Sequence, residues 1–197
     1  MAIDEFLSRT VGWMAISTGI VGILGVVFLL LFFSIGQPFG TLNDIFGGLL
    51  AITSGILAWS MYLEYHARSS GGLVALIVAL VGVVIAVIGS VLVIFKFTGW
   101  VLAGFYSGVG FALIGLWLAM FCYSLLRSSV LPHNLIIFGF VIGVLMALGL
   151  ISILGIVSGI DSMDSIPWYL NIGFVGFFGT FLYLIWAIWL WRTLLSQ

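Results

Sequence analysis

Charge is what this chain has least of. Only 6% of its 197 residues are Asp, Glu, Lys or Arg, against about 25% in a soluble domain, and so few charges cannot cover a water-facing surface. The five basic and six acidic residues leave a formal net charge of -1. They are scattered singly, so no basic stripe exists to bind nucleic acid or anionic headgroups, and a nucleic-acid partner is excluded. Cysteine is almost missing too: Cys122 stands alone and can form neither an intramolecular disulfide nor a cysteine-rich metal site. The middle of each long apolar run lacks any Asp, Glu, Lys, Arg or His. Burying a charge at mid-bilayer costs about 2.5–3.5 kcal/mol on insertion scales, so such residues are kept mainly for ion pathways and relays. Their absence counts against a proton-coupled pump. Without a histidine or a carboxylate pair in a span, it also counts against intramembrane hydrolysis. The expectation is a non-catalytic protein whose sequence requires no cofactor and no metal.

Apolar residues supply what is there, at 64% of the chain with a mean hydropathy of +1.42. They fall into six runs, about 11–34, 42–65, 72–95, 101–126, 134–158 and 168–192, each longer than the ~18 residues that mark a transmembrane helix. The runs are continuously apolar rather than alternating, which predicts helices and not barrel strands. The fold class is therefore all-α: residues 1–197 form one transmembrane domain of six helices. The first run has Asp4 and Glu5 before Arg9 and no small-x-small cleavage signal, so it is expected to remain as a span. Connections are short and hold the three prolines, Pro38, Pro132 and Pro167, which makes consecutive helices antiparallel neighbours. Arg9, Arg68, Arg127 and Arg192 share the side of the termini, with Lys96 the one base opposite. By the positive-inside rule this puts both termini in the cytoplasm.

Candidate contact residues are glycines at three- or four-residue spacing: Gly19, Gly22 and Gly25; Gly104 and Gly108; Gly139 and Gly143; Gly173, Gly176 and Gly179. Such spacing lines one helix face with small residues and lets backbones meet, within the bundle or against another subunit. His66 and His133 should lie on the same membrane side, where they are weak candidates for a haem or chlorophyll metal. Asp44 and Lys96, both on the outer side, either pair or sit at headgroup depth. Asp161 and Asp164 read as a solvated acidic loop. Mid-span polar residues are hydroxyls such as Thr18, Thr53, Ser54, Ser90, Ser107, Ser152 and Thr180, and such groups usually bond their own helix backbone or a neighbour.

From Arg127-Ser-Ser-Val-Leu-Pro132-His-Asn-Leu135 through Gly139 and Gly143 to Trp186-x-x-Trp189, the chain resembles uncharacterised bacterial multi-span proteins of a domain-of-unknown-function type. The resemblance implies a six-span bundle in a prokaryotic membrane and no chemistry. With its charge-free interior and minimal loops, the leading expectation is an accessory or scaffold subunit in the inner membrane, among lipids and other membrane subunits. The alternative is a small binder or transporter of lipid, quinone or another hydrophobic molecule, with a cavity near Tyr106, Trp117 and Tyr183.

Overall fold

The computed structural model describes residues 2–65, 72–126, 128 and 130–195; His66, Arg68 and Arg127 lie outside them. Among the described residues seven helices follow in order: α1 (Ala2–Ile35), α2 (Phe39–Tyr65), α3 (Gly72–Ile94), α4 (Trp100–Leu125), α5 (His133–Ala147), α6 (Ser152–Val157) and α7 (Asn171–Leu195). Among the described residues there is no strand. A 3-10 turn at Leu148–Ile151 joins α5 to α6, so the two make a single span. Six segments are long and apolar enough to cross a membrane: Leu7–Ile35, Phe39–Tyr65, Gly72–Ile94, Trp100–Leu125, His133–Val157 and Trp168–Leu195. The expected runs match these closely. The break in the fifth was not foreseen, because no proline or charge marks it.

Each span packs on the next, and α7 returns to pack on both α5 and α1, so the spans close into a ring. Glycine is found where backbones come closest. A methyl group on Gly82 would stand 2.6 Å from the carbonyl oxygen of Gly110, and one on Gly110 would stand 2.6 Å from that of Gly82. Between α4 and α5, a methyl on Gly143 would meet Ala119 N and Gly115 O, each at 2.5 Å. On α7, one on Gly176 would lie 2.7 Å from Gly149 N in the 3-10 turn. Lipid is as apolar as the side chains, so helix association draws on this close packing and not on escape from water.

At the end of the bundle that holds the termini, the ring is filled. Trp117, Trp186, Tyr183, Leu57 and Met61 are fully buried there. Tyr183 donates to Ser54 Oγ (3.1 Å) and Trp186 Nε1 donates to Leu135 O (3.2 Å), so these two aromatics have their polar atoms satisfied inside the core.

At the other end, three helices stop on a left-handed residue. Gly36 (φ +96°) closes α1 and bonds Phe32 O at 2.8 Å. Gly159 (φ +60°) closes α6, with Gly159 N bonded to Ile156 O and Ile160 N to Gly155 O, the double bond pattern of a Schellman cap. The end of α3 repeats that pattern through Lys96 N to Val93 O and Phe97 N to Leu92 O, yet the left-handed position is held by Lys96 itself (φ +58°). Lys96 is exposed, and the side-chain partner of Asp44 is Asn43, not Lys96.

Two expectations follow for the midpoint of thermal unfolding in detergent. Gly143→Leu should lower it, with a cost of about 1–3 kcal/mol, because the added atoms meet backbone that cannot rotate away. Lys96→Gly should raise it, by relief of about 1 kcal/mol of left-handed strain; an unchanged midpoint would contradict that account of the α3 cap.

Candidate functional site

The half of the ring away from the termini is not filled. A cavity of about 370 Å³ opens there, lined by residues from all six spans. On α4 it runs from Trp100 to Ala112, which at ~1.5 Å per residue is a depth of about 18 Å. Leu50, Ala112, Met146 and Leu184 are its deepest lining residues and also belong to the buried set, so they form the floor above the aromatic core.

Parting of α1 from α7 creates the space. Near the termini the two helices touch: a methyl on Gly12 would lie 3.3 Å from Leu195, one on Gly19 would lie 2.7 Å from Ile188, and Gly22 packs on Leu184. Beyond Gly22, the α1 residues Gly25, Val26, Leu29 and Phe33 line the cavity, and so do Phe181, Phe177 and Phe174 of α7. In this half α1 is held on α2 instead, through Phe28 and Phe46 with ring centroids 5.0 Å apart. Phe177 and Phe181 stack edge to face at 4.9 Å. The chief side chains of the wall between α1 and α7 are therefore aromatic, and Phe174 and Phe177 are 46% and 48% exposed.

Polar groups are few, and placed by depth. Asn43 and Asp44 lie in the second turn of α2, near the mouth, and Asn43 Nδ2 is 3.5 Å from Asp44 Oδ1. Ser90, Ser107, Ser152 and Thr180 lie further along the walls. The mid-span hydroxyls named from the sequence thus divide into two groups. Thr18, Thr53 and Ser54 bond carbonyls of their own helix. The four on the cavity have no hydrogen-bond partner among the described residues, although Ser90 and Ser152 are only 7% and 6% exposed. Among the described lining residues Asp44 is the one charged group.

The roof comes from the segment between α6 and α7, which contributes Met163, Ile166 and Leu170 to the lining. The expected solvated acidic loop is more specific than that. Asp161 caps α4 from outside: its Oδ2 accepts from Gly99 N (2.8 Å) and Thr98 Oγ1 (3.2 Å), and its Oδ1 accepts from Leu102 N (3.1 Å). Helix starts leave backbone N–H groups unpaired, and a carboxylate both satisfies them and faces the positive end of the dipole. Those N–H donors hold the Asp161 carboxyl below its ordinary range. Any side chain at Gly99 would collide with that carboxylate, so a glycine is required there.

Other sequence candidates fall elsewhere. Trp117 and Tyr183 belong to the packed core and Tyr106 does not line the cavity; the cavity is at the opposite end from those two core aromatics because they fill their own half. His133 is exposed at the start of α5, and its proposed partner His66 lies outside the described residues. Among those residues no group of three His, Cys, Asp or Glu side chains could hold a metal. Of the glycines singled out by spacing, Gly139 packs against Trp186 and Cys122, Gly143 on α4, Gly179 on Met146, and Gly108 and Gly173 each approach Ser152 Oγ. Gly104 differs, with nothing within 4 Å of a methyl placed on it, and it lines the cavity. Comparison with family models, curated proteins and solved structures finds no match to the chain.

Asp161→Ala should lower the thermal midpoint and speed proteolysis of the segment 158–167. Because the folded carboxyl titrates below the unfolded value of 3.8, the cap stabilises above that value, and its contribution disappears as pH falls through the lower folded value. The midpoint difference between wild type and variant should hold from pH 7 to pH 5 and close as pH falls below about 4. A difference that persists in full at the lowest pH would contradict the capping role.

Proposed function

We propose that this protein is a membrane-embedded binder or carrier of a single amphiphilic, lipid-like molecule, held in the cavity between α1, α4 and α7. The observation that carries the reading is a cavity of about 370 Å³, within the range of ligand sites and, like them, mostly apolar with a few placed polar groups. Its order of groups mirrors half a bilayer. Asn43 and Asp44 stand near the mouth, the unpaired hydroxyls lie along the walls, and an apolar floor ends it about 18 Å down. A head at the interface and a chain toward the midplane would sit in it as they sit in the leaflet. The phenylalanine wall between α1 and α7 is the natural side door, because the helices are locked together only in the other half.

Arg9 and Arg192, both exposed at the end that holds the termini, support a cytoplasmic location for that end. The cavity would then open toward the outer leaflet of a prokaryotic plasma (inner) membrane. The competing reading, an accessory subunit of a larger complex, rests on the charge-free interior and minimal loops and would use glycine faces as its contact surface. All of those glycines except Gly104 have neighbours inside the ring, so that reading comes second.

Gly104→Phe tests the proposal, since the new ring enters the cavity without meeting packed atoms. Wild type and variant, purified in mild detergent, would be extracted with organic solvent and the released amphiphile quantified by mass spectrometry. Wild type should carry about one molecule per chain and the variant at least tenfold less, with an unchanged or higher thermal midpoint. Equal retention by the two would overturn the reading, and foreign subunits at fixed ratio in both preparations would restore the accessory role.

A further inference from the structure

We infer that the occupant carries a cationic head, a primary or quaternary amine on a single hydrocarbon chain, and that Asp44 with Asn43 is its recognition site. The inference rests on the reading of the cavity as an amphiphile site and adds the chemistry of the head.

Three independent observations point the same way. First, Asp44 is the one charged residue among the described lining residues, and its only hydrogen bond comes from the neutral Asn43, with a long 3.5 Å separation. A carboxylate half-removed from water and without a cation of its own is an attractive position for one, and a repulsive one for a phosphate or a free carboxylate. Secondly, the surroundings add to the sign. At the same end of the bundle Asp161 and Asp164 are exposed, and Lys96 is the single base there. The field at the mouth is therefore negative, which draws cations and turns anions away. Thirdly, Ser90 and Ser152 are more than nine-tenths buried, line the cavity and lack a partner among the described residues. Their hydroxyls are available to a polar linkage just below the head.

Geometry sets the size of the chain. Asp44 lies five residues into α2, about 8 Å along the helix. The floor at Ala112 is about 18 Å from the start of α4. The distance left between head and floor is about 10 Å, which holds roughly eight methylenes at ~1.3 Å each; a longer chain bends toward the wall between Phe33 and Phe174.

The test uses the intact protein in maltoside micelles, whose heads are uncharged, and three radiolabelled probes of one chain length: dodecylamine, dodecanol and laurate. Wild type should bind the amine at least tenfold more tightly than laurate, with dodecanol between them. Asp44→Asn should abolish that order while it keeps dodecanol binding within about threefold, and Asp44→Glu should restore a preference for the amine. Gly104→Phe should weaken all three. If the probes bind and Gly104→Phe removes them, but wild type does not rank the heads or Asp44→Asn leaves the ranking intact, the cationic-head assignment is wrong and the cavity reading survives. If Gly104→Phe leaves the binding of every probe unchanged, the cavity is not the site and both fall.

Discussion

Close approach of backbones at glycine is the interaction on which the rest of this structure depends. In lipid there is no hydrophobic drive to bring one apolar helix to another, so association draws on dispersion contacts and on how nearly two backbones can meet. Gly82 against Gly110, Gly115 against Gly143 and Gly149 against Gly176 supply that contact at three successive interfaces. Gly19 and Gly22 seat the large side chains Ile188 and Leu184 and so close the ring between α1 and α7. A glycine that meets no partner leaves space instead. Gly104 faces nothing within 4 Å, and the cavity lies beside it. One residue type therefore makes both the packed half and the open half, according to what stands opposite.

The two halves divide the chemistry. Toward the termini, Tyr183 and Trp186 are locked by hydrogen bonds to Ser54 and Leu135, which fixes a floor that a ligand cannot push aside. Toward the other end, the helices are held at their tips by left-handed caps and by Asp161, whose carboxylate ties the roof segment to the start of α4. A rigid floor, a tethered roof and an aromatic side wall together suit the proposed exchange with the bilayer rather than with water.

Much of the fold was legible in the sequence because bilayer thickness acts directly on run length. All six spans start and stop within about four residues of the expected bounds. The glycine faces were legible only in part. Spacings of three and four mark one face of a helix, but so does a spacing of seven, two full turns. Gly12 and Gly19, Gly48 and Gly55, Gly82 and Gly89, and Gly108 and Gly115 stand at that spacing, and several of them make the closest approaches. The site itself was hidden for a physical reason. Whether a serine bonds its own helix or faces a cavity depends on what lies across from it, and Ser54 and Ser90 look alike in sequence. Asp44 read as a headgroup-depth residue from its position near a span end; that it lines the cavity is a property of the ring. Asp161 as a cap for α4 spans about sixty positions of chain, a contact that no local motif announces.

Whether the open half holds one molecule decides between a binder and a bare bundle. Native mass spectrometry of the protein released directly from its own membranes measures this without a substitution or an added probe. A single bound species of constant mass, at one per chain and lost only at high collision energy, is the predicted result. A chain observed bare at its own mass under the gentlest conditions, or accompanied only by foreign subunits, would contradict it.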